Sequence, residues 1–213
     1  MTLALPPLMA IVDADLADRL STTMIELAEA YLRGGAMALQ IRAKNRPSGW
    51  LLDAASAIVA SAHRRHAIVV VNDRADVAAL AGADGVHIGQ DDLPPVLARR
   101  IVGPESIVGL STHTREQLDA ALAQPVNYVA IGPVFGTKTK ATGYDSLGLD
   151  PVRRAAELAR KRAMPLVAIG GITLERAADV LGAGAIAVAV ISDLAVGGDP
   201  EARVREYVAR LTV

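Results

Sequence analysis

The sequence predicts an α/β fold, a single (β/α)8 TIM barrel taking in residues 1–213 as one domain. Three observations lead there. Short apolar runs rich in β-branched residues alternate with Ala-rich amphipathic stretches, the pattern of a parallel sheet with crossover helices. The apolar runs number eight, which suits a closed barrel better than an open doubly wound sheet. They read as continuous apolar segments, as strands covered on both faces do. At 213 residues the chain sits near the short end of the roughly 200 to 400 residues of such barrels, so connections should be short and insertions few.

Taken in order, the strand-forming runs are 8–12, 36–41, 67–71, 85–88, 106–110, 128–131, 166–169 and 185–190. Between them, 23–33, 50–65, 115–123, 152–162, 174–181 and 201–210 place charges at helical spacing on an Ala-rich background, with shorter helical segments at 74–81 and 94–100. AGADGVHIG at 81–89 echoes GAGAIAVAVIS at 182–192. We read this echo as shared turn chemistry, a Gly ending a helix ahead of the next strand. No low-complexity segment or linker divides the chain.

Composition narrows the function. Hydrophobic residues make up 52% and aromatics only 3%, so the core must be built from Ala, Val, Leu and Ile. The net charge of −1 supplies no field for nucleic acid or an anionic membrane, so any phosphate recognition must be local and the partners small molecules. With no Cys there is no disulfide framework and no thiolate ligand or nucleophile, which fits a reducing compartment. The N-terminus has neither a basic start nor a long apolar run, and no stretch approaches the roughly 20 apolar residues of a spanning helix. A soluble cytoplasmic protein is expected; self-association into a homo-oligomer is left open.

In this fold the chemistry sits at the C-terminal ends of the strands. After the second strand come Gln40, Arg42 and Lys44; after the third, Asn72 and Asp73; after the fourth, His87, Gln90, Asp91 and Asp92. The fifth ends in Ser111, Thr112 and His113, the sixth in GPVFGTKTK (132–140), the seventh in Gly170 and Gly171, the eighth in Ile191 and Ser192. Carboxylates and cations on one rim suit a magnesium-bridged phosphate substrate. Asp73 and Asp92 are the metal candidates for Mg2+; the plainer alternative is that each caps the helix after it. Arg42, Lys44 and Lys140 are candidates for a diphosphate clamp, against solvated surface charge. Arg42 resists that alternative most, because inside a strand it would otherwise be buried unpaired.

The loops after the last two strands occupy the usual phosphate site of the fold, where Gly backbone N–H groups can cradle an anion. Thr137, Thr139 and Lys140 open a hydroxyl-rich, basic loop running to Ser146, long enough for a lid. His63 and His66 read as solvated, and His87 as a hydrogen-bonded interior residue. His113 at the rim suits acid–base work, helix capping or loop orientation. No Ser-His-Asp triad is evident.

QIRAK (40–44), VNDR (71–74), GVHIGQDD (85–92), GLSTHT (109–114), GPVFGTKTK (132–140), AIGGIT (168–173) and VIS (190–192) together resemble the thiamine phosphate synthase family, in order and over nearly the whole chain from about Leu8. The resemblance implies a TIM-barrel transferase that joins hydroxymethylpyrimidine diphosphate to thiazole phosphate, or its carboxylate, releasing pyrophosphate. It implies that Gln40, Arg42, Lys44, Asn72, Ser111 and Lys140 hold the pyrimidine diphosphate, with Arg42, Lys44, Ser111 and Lys140 acting in catalysis. Asp73 and Asp92 would bind Mg2+, and Thr137, Thr139, Gly171, Ile191 and Ser192 the thiazole phosphate. The family reaction is dissociative, passing through a pyrimidine methyl cation, and so needs no protein nucleophile. Departures are Gly136, where the family often has Pro, Ala43 in place of an acidic residue, and Ala187 and Asp193 beside the last strand. The alternatives are a thiazole tautomerase on the same barrel, which needs no metal pair, and a non-catalytic thiamine-precursor-binding barrel. An aldolase would want a Schiff-base Lys inside a strand, and Lys44 and Lys140 lie outside the strand runs.

Overall fold

The computed structural model describes residues 4–136 and 143–212. Eight parallel strands close into a barrel in sequence order: β1 (Leu8–Asp13), β2 (Ala38–Arg42), β3 (Ile68–Asn72), β4 (Gly85–Ile88), β5 (Ile107–Thr112), β6 (Tyr128–Ile131), β7 (Leu166–Ile169) and β8 (Ala187–Val190). Closure sets β1 on β8, with Leu8 beside Val188 and Ala10 beside Val190. Six of the strands are buried at every position, which is why they read as uninterrupted apolar runs.

The helices are α1 (Ala14–Arg19), α2 (Met24–Arg33), α3 (Ser48–His63), α4 (Ala75–Leu80), α5 (Pro95–Val102), α6 (Arg115–Ala121), α7 (Leu149–Lys161), α8 (Leu174–Gly182) and α9 (Pro200–Leu211). Local chemistry starts several of them. Thr23 and Glu26 form a capping box on α2, Thr114 caps α6, and Asp199 caps α9 ahead of Pro200. Two elements go beyond the sequence reading. Helix α1 is too short and polar to show a periodic stripe; it forms because the Asp13 carboxylate accepts from the Leu16 N–H at 3.0 Å while Leu16 and Ala17 are buried. A 3-10 turn, Ser192–Ala195, follows β8 directly.

Several strands also run further than expected, to Asp13, Arg42, Asn72 and Thr112. Their polar ends stay in the ladder because tertiary partners satisfy them, as the Thr112 hydroxyl does by donating to the Ala130 carbonyl at 2.8 Å.

Tyr128 crosses the barrel interior. Gly109 lies beside it in the register, and a Cβ at 109 would sit 2.1 Å from Tyr128 Cζ, so only Gly leaves room for this ring. Among the described residues, no helix is long and apolar enough to cross a membrane.

Candidate active site

The β2–β4 side of the rim gathers charge. Asp73 takes a left-handed backbone (φ 65°), and its N–H donates to the His87 carbonyl at 2.7 Å. An Asp tolerates this conformation at a sharp turn. The capping alternative fails for both acids. Helix α4 follows Arg74 with no side-chain cap, and the Asp92 carboxylate turns back to accept the Gly89 N–H at 2.7 Å. Instead the carboxylates of Asp73 and Asp92 lie within hydrogen-bonding distance of each other, with Lys44 Nζ 3.3 Å from Asp73.

Burial, the hydrogen bond to Asp92 and the Asp92 charge push the Asp73 carboxyl above its usual range, against the pull of Lys44. Two abutting hard-oxygen carboxylates that repel when both ionise are a donor set that fits a divalent cation. Among the described residues no third His or acidic side chain joins them, so a cation there would keep positions for water and substrate oxygens.

Arg42 is not left unpaired. Its guanidinium meets the Asp13 carboxylate, with side chains 10% and 2% exposed, while its Nε is buried without a partner among the described residues. Gln40 is buried too, its Nε2 donating to Met9 Sδ at 3.8 Å. The Tyr128 hydroxyl lies 2.8 Å from His87 Nδ1, and His87 Nε2 lies 2.8 Å from Ser111 Oγ. Burial raises the Tyr128 pKa, keeping the hydroxyl protonated. His87 is thus the hydrogen-bonded interior residue expected, and it anchors Ser111 from below. Gln90 reaches the Ser111 carbonyl at 2.7 Å, tying the β4 loop to the end of β5.

On the β5–β8 side a cavity of about 630 Å3 opens, lined by Ser111, His113, Gly171, Ile191 and Ser192 among others. Its size suits one small molecule. Asp73 and Asp92 lie outside its lining, while Ser111, which lines it, is linked to them through His87, whose carbonyl takes the Asp73 N–H. The loops after β6 and β7 are zipped by Val134 and Phe135 N–H groups donating to Ile169 and Gly170. Gly171 has φ +62°, and a Cβ there would come within 2.5 Å of the Gly136 carbonyl. The neighbouring Asp193 accepts from Leu174 N–H, from Arg203, and from the Tyr207 hydroxyl at 2.6 Å, fastening the β8 loop to the start of α8.

His113 lines the cavity. Its Nδ1 lies 2.6 Å from the Gly132 carbonyl, which can only accept, so this nitrogen carries the proton and the ring steadies the β6 loop. Tyr144 stacks on it at 4.3 Å. Thr137, Thr139 and Lys140 lie outside the described residues, as does most of the expected lid.

Two features escaped the sequence reading: Asp13, partner of Arg42, and the presence of Arg19 and Arg176 on the cavity wall. Asp13 carried a weak signal, an acid at the end of an apolar run; the two Arg residues carried none.

A closed barrel with paired carboxylates, cations and a glycine-lined cavity on its C-terminal rim has the build of an enzyme acting on phosphorylated small molecules. The chain belongs to the thiamine monophosphate synthase family, a family of transferases, whose model matches residues 8–194. It is 49% identical over 175 residues to a thiamine-phosphate synthase of Anaeromyxobacter dehalogenans (strain 2CP-C), covering 82% of this chain and 77% of that one. It is 45% identical over 207 residues to a thiamine-phosphate synthase of Koribacter versatilis (strain Ellin345), covering 96% and 95%. The solved thiamine phosphate pyrophosphorylase from Pyrococcus furiosus superposes with a TM-score of 0.86 at 31% identity, covering 96% and 95%.

Proposed function

We propose that this chain is a thiamine-phosphate synthase that condenses hydroxymethylpyrimidine diphosphate with thiazole phosphate, giving thiamine phosphate and pyrophosphate. The observation that carries the reading is a charged rim of Asp73, Asp92 and Lys44 tied through His87 to Ser111, which lines a small-molecule cavity. Rim and cavity each suit one of two phosphorylated substrates.

In this reading Asp73 and Asp92 hold Mg2+, which when bound offsets diphosphate charge and favours its departure. Lys44 supplies a point charge to the diphosphate. Arg42, fixed by Asp13, directs its remaining N–H groups at the same anion. Asn72, at the end of β3, adds a neutral polar contact. Gln40, buried against Met9, and Ser111, held by His87, orient the pyrimidine part over the barrel. The carbon–oxygen bond to the diphosphate breaks with both electrons leaving on pyrophosphate. The resulting methyl cation accepts the thiazole nitrogen lone pair, so no protein nucleophile is used and positioning supplies the acceleration. Gly171, Ile191 and Ser192 seat the acceptor phosphate, with Thr137 and Thr139 assigned to the same phosphate and Lys140 to the pyrimidine diphosphate. The chain would do this as one domain, in the cytoplasm.

The test is pyrophosphate release by the purified protein given both substrates and Mg2+, with each omitted in turn and thiamine phosphate detected by mass. Product requiring all three components is expected. A folded protein that binds thiazole phosphate but forms no product would overturn the reading.

A further inference from the structure

The β5–β8 cavity carries a charge that its neutral cradle does not explain. Arg19, the last residue of α1, and Arg176, in the first turn of α8, both line it together with Gly170, Gly171 and Ser192. They reach it from different elements, α1 after β1 and α8 after β7. Neither makes an ion pair among the described residues. Arg176 instead lays its guanidinium over the Phe135 ring, 4.7 Å from the centroid. Stacking fixes the plane of the group and leaves its edge N–H donors free.

The acid on the cavity wall, Asp193, is already committed to Arg203, to the Tyr207 hydroxyl and to the Leu174 N–H, so it does not neutralise them. The cavity is thus locally cationic in a chain whose net charge is −1. Backbone donors supply only partial charges toward an anion, whereas a guanidinium supplies a full charge and a two-pronged donor edge.

The geometry points to Arg19 and Arg176 as acceptor-binding residues of this chain, a guanidinium pair that meets the phosphate of the acceptor and selects phosphorylated over unphosphorylated thiazole. This rests on assigning the cavity to the acceptor under the proposed function. Both residues are exposed at the protein surface, so replacing them tests binding without disturbing the core.

The experiment compares wild type with Arg19→Gln, Arg176→Gln and the double variant, each checked by thermal melting. Titration with inorganic phosphate and with thiazole phosphate, in the absence of pyrimidine and Mg2+, should show about tenfold weaker binding for each single variant, the loss of one charge-assisted contact. The double variant should lose on the order of a hundredfold if the two act independently. Where synthesis is measurable, KM for thiazole phosphate should rise with little change in kcat or in KM for the pyrimidine diphosphate. Arg176→Lys should recover part of the affinity. A double variant binding both anions as wild type does would overturn the inference, even if the protein makes thiamine phosphate. Arg-dependent phosphate binding by a protein that makes none would uphold it and sink the synthase reading instead.

Discussion

Asp13 supports both a helix and a candidate catalytic side chain, and its removal is the sharpest test of how the rim is held. Its carboxylate takes the Leu16 N–H with one oxygen and the Arg42 guanidinium with the other. In Asp13→Ala both are lost. Removing one partner of a buried ion pair costs about 3 to 5 kcal/mol, because the other charge stays in a poorly solvated site. Losing a helix N-cap adds about 1 kcal/mol. The total, about 4 to 6 kcal/mol, compares with a whole-domain stability of about 5 to 15 kcal/mol. For a chain of this size the melting temperature should fall on the order of 10 to 20 °C. Calorimetric or circular-dichroism melts measure it. Asp13→Asn should keep the cap, recovering about 1 kcal/mol of the loss while still removing the charge. Replacing both partners with apolar residues, Asp13→Leu with Arg42→Met, should restore most of the stability yet abolish synthesis. A drop below about 3 °C in Asp13→Ala would refute the reasoning, since Arg42 would then be solvated rather than buried.

Three further outcomes are expected. Gly171→Ala forces a Cβ against the Gly136 carbonyl at a left-handed position, so KM for thiazole phosphate should rise at least about tenfold with little change for the pyrimidine diphosphate; equal effects on both would count against the cradle. Asp73 holds its proton more tightly folded than unfolded, so without a cation its ionisation lowers stability as pH rises from its ordinary 3.8 through the raised value. Under the proposed assignment of Mg2+ to this pair, protons compete with the cation at a higher pH than for a free Asp; calorimetry should show Mg2+ affinity falling as pH drops through that raised value. Asp92→Asn should weaken Mg2+ binding and move the fall to lower pH, and an unmoved profile would argue against the carboxylate pair. His87→Ala strips the buried Tyr128 and Ser111 hydroxyls of a partner and should cost about 2 to 4 kcal/mol in denaturant titrations; a loss under about 1 kcal/mol would refute the interior network.

The barrel was legible because its information is local. A strand buried on both faces must be apolar throughout, and a run such as the valines at 69–71 declares this without reference to the rest of the chain. The site was legible in part for the same reason: a polar residue ending such a run must lie on the rim. That located Asp73, Asp92, Lys44 and Ser111. It did not reveal that Asp73 and Asp92 touch, since β3 and β4 present them through turns whose direction depends on a left-handed Asp73 and on Asp92 folding back to Gly89. Strand ends were misplaced where polar residues stay in the ladder, because tertiary partners of Arg42 and Thr112 satisfy them.

From the sequence alone come the strand-and-helix order, the eightfold count and the identity of most rim residues, all set by the burial each short segment demands. Only the closed barrel decided who meets whom. Arg42 meets Asp13 because β2 pairs with β1, with Asp13 beside Arg42 in the register. Arg19 and Arg176 share a cavity because β1 closes on β8, next to β7, bringing residues more than half the chain apart to one wall. Neither carries a periodic signal, for a charge at a helix end looks the same in sequence whether it faces solvent or a substrate.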